Sequence, residues 1–557
     1  CNNTQYRLYG STEQETEKKS FYTYLSVCTT NGITFTAVKS KNCSDNQKQV
    51  ALGRYRNAVN ETGWGILEIE TFAGNYSYDT QAFAAGLAEG LLTRKQIYYH
   101  FQNTLEDLCT ENDDYCKKLY KHLNKNLQFI REKVKSNNIQ SENRYWNQVK
   151  LIFYQLTGMY YGFAEDGDYK RSISFNNNLI YLLQISGELF DLNKYLNKTK
   201  DLNEDPDPGH CTGLFKIAPG NKDLYFSHVA MNGYNTMNRV LKLYTFDFDP
   251  RKVPGHQIAM SSYPASLTSV DDYIMTSAGL GSTETTISIF NTTLYNDQYM
   301  TPNSLHCWIR SVIASRLASS AKEWVEIFAK YNSGTYNNQW SVVDYKLFTP
   351  GKELPDADVA WVLEQVPGYT VYDDVTWFLK QYQYWPSYNI PFFKFISDIS
   401  GYTTEAEKTF WRSWKECPRA KIMKRDQHKV ANMDDLAKFM RYNDYKHDPF
   451  SRCKCIPPYT AEAAMSARGD LNPAGGVYEL DGMGHRNHGG IDYKGTDYKM
   501  FKQLRFVAWG GPTYDTNCLY AVCWLTTDIK AKHYGQPDVW DFKPMTTNWE
   551  TDIKTVL

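Results

Sequence analysis

The sequence predicts an α+β fold, and three observations carry that reading. Residues 1–77 hold aromatic and β-branched clusters, at 21–27 and 33–38, separated by Asn, Gly and Ser turns, which is the pattern of strands. From Thr80 the apolar period becomes helical, through Phe83, Ala84, Leu87, Leu91 and Leu92. After residue 210 strand-like runs return, so strands and helices come in blocks rather than in regular βαβ alternation, and a layered α+β architecture suits that order.

Taken in order, the helical period continues through 98–129 with Lys, Asn and Glu on the opposite face, and a second helical block spans 145–196. Residues 197–210, Asn-Lys-Thr-Lys-Asp-Leu-Asn-Glu-Asp-Pro-Asp-Pro-Gly-His, hold almost nothing to bury and predict a linker. Strands are expected at 212–218, 224–230 and 240–248, the first two joined by a turn at 219–223. Amphipathic helices are expected at 305–330, along Trp308, Val312, Trp324 and Phe328, and at 430–442, along Val430, Met433, Leu436 and Met440. The remainder, rich in Gly and Tyr, reads as irregular, and no internal repeat is visible.

The 557 residues carry 61 basic and 62 acidic side chains, a net charge of -1. Phosphate neutralisation needs a clustered basic excess, so nucleic acid is not an expected partner. The mean hydropathy is -0.57. A long uncharged run at 253–270 is interrupted by Pro254, Gly255, His256 and Pro264, which disqualifies it as a bilayer span. His485 and His488 form an H-x-x-H pair with no third ligand evident, so neither a metal nor a cofactor is expected.

Twelve cysteines coexist with six Asn-x-Ser/Thr sequons, at Asn2, Asn42, Asn60, Asn75, Asn197 and Asn291. Together they point to a secreted or lumenal glycoprotein, with Cys1 fitting a chain from which a signal peptide has been cut. A cytosolic chain with chance sequons is the alternative. Local bridges are expected between Cys28 and Cys43, Cys109 and Cys116, Cys453 and Cys455, and Cys518 and Cys523. The pair 109 with 116 is the favoured one, whereas 453 with 455 closes a very small ring. Cys1, Cys211, Cys307 and Cys417 are then left over, and Cys307, on an apolar helix, reads as a buried thiol.

Cys211 stands apart, in Gly-His-Cys-Thr-Gly at 209–213, after the linker and before a strand. Three readings are open. It can be an ordinary half-cystine. It can be the nucleophile of a G-x-C-x-G elbow, but an elbow has a strand before it and a helix after it, the inverse of the order here. Or the bond between His210 and Cys211 is cut, and Cys211 becomes an N-terminal residue whose α-amino group, with a reference pKa of about 7.7 to 8.0, serves as base for its own thiol. Across the predicted hairpin Cys211 falls opposite roughly residue 231, which brings His228 and Asn232 near; a satisfied core histidine is the plainer reading of His228.

Several runs resemble the phospholipase B-like (lamina-ancestor) family. They include Cys-Thr-Gly-Leu-Phe-Lys-Ile-Ala-Pro-Gly at 211–220, Glu-Thr-Thr at 284–286, Tyr-Asn-Ser-Gly-Thr-Tyr-Asn-Asn-Gln-Trp at 331–340 and Trp-Pro-Ser-Tyr-Asn-Ile-Pro at 385–391. Further matches are Pro-Arg-Ala-Lys-Ile-Met-Lys-Arg-Asp-Gln at 418–427, Met-Arg-Tyr-Asn-Asp-Tyr-Lys-His-Asp-Pro at 440–449, His-Gly-Gly-Ile-Asp at 488–492 and Gly-Asn-Tyr-Ser-Tyr at 74–78. The resemblance implies an Ntn-hydrolase αββα sandwich, cut autocatalytically between His210 and Cys211 into associated fragments 1–210 and 211–557, in lysosomes, granules or the secreted medium. Carried across, the pocket holds Cys211, His228, Thr286, Asn389 and Arg419. Asn389 is implied as an oxyanion donor, Arg419 as fixed positive charge, and Thr286 as a group that aligns the amine or the acyl carbonyl. Two departures stand out: Met231 where relatives carry tryptophan, and the close Cys453–Cys455 spacing. The implied activity is fatty-acid release from glycerophospholipids through a Cys211 thioester, with peripheral contact to lipid. An amidase on lipid or peptide amides and a catalytically silent lipid-binding glycoprotein are the alternatives, and the oligomeric state is not legible.

Overall fold

The computed structural model describes residues 21–109, 113–136, 143–164, 169–198, 211–515 and 519–557. Cys1, Asn2, His210, Cys518 and the linker residues 199–210 lie outside them. Twelve strands form one sheet, in the spatial order Tyr369–Asp374, Ala360–Val366, Asn338–Asp344, Leu280–Thr286, Tyr273–Thr276, Gln257–Ser262, Arg239–Thr245, Trp64–Thr71, Lys48–Ala58, Thr23–Thr29, Thr34–Val38 and Tyr169–Lys170. Six strands, Tyr384–Ser387, Thr212–Ile217, Leu224–Val229, Asp492–Thr496, Val507–Gly510 and Met545–Thr546, form a second sheet.

Neighbours in the large sheet are antiparallel except at its centre, where Trp64–Thr71 runs parallel to Arg239–Thr245. A parallel pair requires a long crossover, and the intervening chain supplies the helices Tyr78–Thr104 and Asn143–Ala164, which cover that face of the sheet. The large sheet therefore takes strands from both sides of residue 210.

Strand periodicity divides the core into layers. In Leu224–Val229, Leu224 and Phe226 point between the sheets while Tyr225 and Val229 point outward. Phe226 stacks on Tyr273 of the large sheet with ring centroids 4.3 Å apart. Outside the small sheet, Leu214, Tyr225, Val229 and Tyr493 pack with the helices Lys394–Ser400, Pro418–Asp426 and Met433–Met440. Outside the large sheet, the helices Cys307–Leu317 and Ala321–Phe328 join the first pair in covering the apolar face. The succession is helices, sheet, sheet, helices: an α+β sandwich.

Three sequence expectations are corrected. The helix expected at 305–330 is two helices, because Ser319 and Ser320 interrupt it and Ser320 caps the second, its hydroxyl accepting the Glu323 N–H at 3.1 Å. The helical period at 98–129 breaks after Thr104 and resumes at Asp113, with the Cys109–Cys116 disulfide across the break. The block at 145–196 divides into Asn143–Ala164, Leu179–Gln184 and Leu189–Tyr195. Disulfides also join Cys28 to Cys43 and Cys453 to Cys455, and the described free thiols are Cys211, Cys307, Cys417 and Cys523. No described helix is long and apolar enough to cross a membrane.

Candidate functional site

Cys211 immediately precedes the strand Thr212–Ile217, whose Gly213, Phe215 and Ile217 alternate toward the inter-sheet layer. It is 1% exposed. The hairpin register pairs Thr212 with Val229 and Gly213 with His228, so Cys211 falls opposite Ala230, one position from the residue expected from the turn. A strand follows Cys211, so no nucleophile elbow forms there.

Two of the sequence-derived residues hold the Cys211 backbone. Its N–H donates to Asn389 Oδ1 at 3.1 Å, and its carbonyl oxygen accepts from Arg419 Nη1 at 2.6 Å. Arg419 stands in the first turn of the helix Pro418–Asp426 and also reaches the Tyr388 carbonyl at 2.9 Å. Asn389 adopts a left-handed φ of 70°, a conformation Asn tolerates better than most residues. Its N–H donates to Thr285 Oγ1 at 3.2 Å, its carbonyl accepts from Tyr402 at 2.7 Å, and its Nδ2 donates to the Thr286 carbonyl at 2.9 Å. Strained backbone fixed from several sides is a recurrent property of functional sites. Thr286 thus joins through its main chain, and its buried hydroxyl has no hydrogen-bond partner.

His228 lies in the same layer but turns elsewhere. Its Nε2 meets the Glu284 carbonyl at 3.0 Å and its Nδ1 meets Lys494 Nζ at 3.1 Å. A carbonyl only accepts and an ammonium only donates, so Nε2 carries the proton and the ring is neutral. Burial and the Lys494 and Arg239 charges push the ring pKa down, in the same sense. Both nitrogens are engaged away from the thiol.

The Cys211 thiol is pushed well above its ordinary range, first by burial and then by Glu284 and Asp271, against the Met231 backbone N–H and Lys494. A thiolate here therefore needs a base and added positive charge. Beside the site, Met231, Asn389, Arg412, Arg419, Glu462 and Arg486 line a small cleft of about 90 Å³. Burial raises the Glu462 carboxyl, but Arg486 and His488 outweigh it and hold it at about 2. The cleft wall thus offers three guanidinium groups and one paired carboxylate.

Sequence reasoning missed the buried charges behind Cys211: Arg239, Asp271 and Lys494, with Asp492 noted only as part of a family motif. Arg239 and Lys494 interrupt otherwise apolar or small strand positions, a signal that periodicity alone could have raised. The paired histidines do not act together, since His485 Nδ1 meets the Asn472 carbonyl at 2.7 Å and His488 Nδ1 meets Glu462 at 3.0 Å. Of the sequon asparagines, Asn42, Asn60, Asn75 and Asn197 are exposed, and Asn291 is half-buried with its Nδ2 donating to the Ile399 carbonyl at 2.9 Å.

The molecule is an α+β sandwich with a buried free cysteine leading into a central strand of the smaller sheet. Residues 51–547 match the family model for phospholipase B, and the chain belongs to that family. A Caenorhabditis elegans relative named "Putative phospholipase B-like 3" is 52% identical over 541 residues, covering 96% of this chain and 92% of the relative. The Homo sapiens "Putative phospholipase B-like 2" is 40% identical over 521 residues, covering 90% of this chain and 86% of its own. The Rattus norvegicus "Phospholipase B-like 1" is 34% identical over 514 residues, with 90% and 88% covered.

Proposed function

We propose that the chain is a lipid acyl hydrolase of the N-terminal-nucleophile type, released by cleavage between His210 and Cys211 and acting on glycerophospholipids. The observation that carries this is the double grip on Cys211: its nitrogen sits on Asn389 Oδ1 at 3.1 Å and its carbonyl on Arg419 at 2.6 Å. Cleavage would convert that bound nitrogen into an amine already oriented beside its own thiol. With a reference pKa of about 7.7 to 8.0 the amine takes the thiol proton, and the thiolate adds to the ester carbonyl. The lysolipid alcohol leaves with that proton, a thioester remains on Cys211, and water hydrolyses it to the fatty acid. Stabilisation of the tetrahedral oxyanion falls to Asn389 Nδ2 and the Met231 N–H. Arg412 and Arg419 give the cleft positive charge for a lipid phosphate, while Arg486 is paired with Glu462 at 2.9 Å. The family and its relatives' names support the substrate class. The three disulfides and four exposed sequon asparagines support a secreted or lysosomal lumen.

The test is an N-terminal sequence of the purified protein's fragments, followed by fatty-acid release from phosphatidylcholine and from an N-acyl amide. The expected result is a fragment beginning Cys-Thr-Gly-Leu, loss of cleavage and turnover in Cys211→Ala, and preference for the ester. A Cys211→Ala protein still cut at that bond would refute the nucleophile assignment.

A further inference from the structure

Between the sheets, behind the nucleophile, four charged side chains are sealed from solvent: Arg239 and Lys494 with 0% side-chain exposure, Asp492 with 0% and Asp271 with 1%. Arg239 pairs with Asp271 at 2.7 Å and with Asp492 at 3.0 Å. Lys494 pairs with Asp492 at 2.6 Å and stands 3.7 Å from Asp271. Two cations face two carboxylates, so the cluster balances and each ion has an opposite partner. Buried charge of this kind is seldom a net gain over well-packed apolar side chains. A role in stability alone therefore does not account for it.

Strand register states what the cluster touches. His228 is opposite Gly213 on one side and Lys494 on the other, so all three side-chain positions share the inter-sheet face with Cys211, two residues before Gly213. Gly213 packs closely on its neighbours there, since a Cβ would lie 3.3 Å from Ser387 Cβ and 3.4 Å from Thr283 Cγ2. The Lys494 ammonium is joined to His228 by a direct hydrogen bond and acts on the thiol through its charge. Asp492 Oδ1 also accepts the Ala230 N–H at 3.2 Å, which ties the cluster to the backbone opposite Cys211. Other ionisable groups facing this space are Asp272 and Glu284 from the large sheet, both held toward their neutral forms by burial, and Arg419 from the outer helix.

We propose that Lys494, anchored by Asp492, is a positioning residue for the Cys211 nucleophile: it locks His228 as the neutral Nε2–H tautomer and supplies the fixed positive charge that favours the thiolate. The proposal rests on the reading of Cys211 as the nucleophile. It makes His228 a spacer between the lysine and the nucleophile strand, and it leaves the α-amino group as the proton acceptor.

The test compares wild type, Lys494→Arg, Lys494→Met and the charge-balanced Lys494→Met/Asp492→Asn in the matured protein. For each, the rate of Cys211 methylthiolation by methyl methanethiosulfonate is followed against pH by mass spectrometry, alongside thermal unfolding. Removing a cation beside a thiol disfavours the thiolate, so the midpoint should rise by about one pH unit in Lys494→Met, by less in the double variant, where a carboxylate charge leaves with the cation, and by a few tenths at most in Lys494→Arg. The double variant leaves no carboxylate without its lysine and keeps the comparison available if the single methionine variant does not fold. A midpoint that rises in no folded methionine variant, with only the unfolding temperature lowered, would overturn the proposal. A wild-type protein whose Cys211 is cut from His210 but shows no thiol midpoint would instead contradict the nucleophile reading itself.

Discussion

The two faces of the large sheet differ in where close packing and where clustered charge dominate. On the helix-covered face, the helices Tyr78–Thr104 and Asn143–Ala164 meet through Gly86 and Gly90 on one and Gly158 and Gly162 on the other, so closely that a Cβ at Gly158 would overlap the Phe83 carbonyl oxygen. On the inter-sheet face, apolar rings such as Phe215, Phe226 and Tyr273 give way toward Cys211 to Arg239, Asp271, Asp492 and Lys494. The first face is set chiefly by shape, although it buries an ion pair of its own, Lys242 with Glu89 at 2.8 Å; the second is set by a larger charged cluster that tolerates no unmatched ion. Dense packing holds the scaffold, and the polar end of the layer is where specific chemistry can be placed.

Breaking the charged end should have the largest effect. Arg239→Leu leaves Asp271 and Asp492 buried beside a single cation and is expected to destabilise the protein by roughly 3–5 kcal/mol in denaturant titration. A loss below about 1 kcal/mol would mean water reaches the cluster. On the other face, Gly158→Ala should cost about 3 kcal/mol, because the new methyl meets backbone rather than a movable side chain. The cleavage proposed at 210–211 should persist in whatever fraction folds.

The helix-covered face also holds an acid that separates packing from charge. Burial lifts the Glu188 carboxyl to about 7, against hydrogen bonds from Thr335 and the Trp308 N–H and the charge of Arg310. The folded state then binds this proton more tightly than the unfolded state, so the contribution is complete below about 4.5 and is lost as pH rises through about 7. Glu188→Gln should match wild type near pH 5 and gain on the order of 2 kcal/mol relative to it by pH 8. A pH-independent difference in melting temperature would show that the acid is ionised throughout. The smallest effect is local: Ser320→Ala removes the cap of Ala321–Phe328 and should cost about 1 kcal/mol, with no change in the reactivity of Cys211.

Much of the site was legible because it rests on local pattern. Cys211 followed a linker and preceded a strand, the turn at 219–223 fixed the register to within one residue, and family motifs marked Asn389 and Arg419. The helix ends at Thr104 and Leu317 were not legible, since apolar periodicity continues past them into the next helix. Gln257–Ser262, inside a run that had only been rejected as a membrane span, is an inner strand of the large sheet, because neighbours on both edges satisfy its backbone.

The sequence by itself determined the fold class, the family, three of the four expected local disulfides and the cysteine that stands apart, all of which are read along the chain. Only the tertiary structure decided that His228 is a neutral, fully engaged ring, that Asn389 and Arg419 grip the two ends of Cys211, and that Lys494 lies beside His228, 266 residues away in sequence. Such facts depend on which strands become neighbours and on the loss of water between two sheets. Charge pairing and tautomer state are properties of that enclosed layer, and no segment of the chain carries them alone.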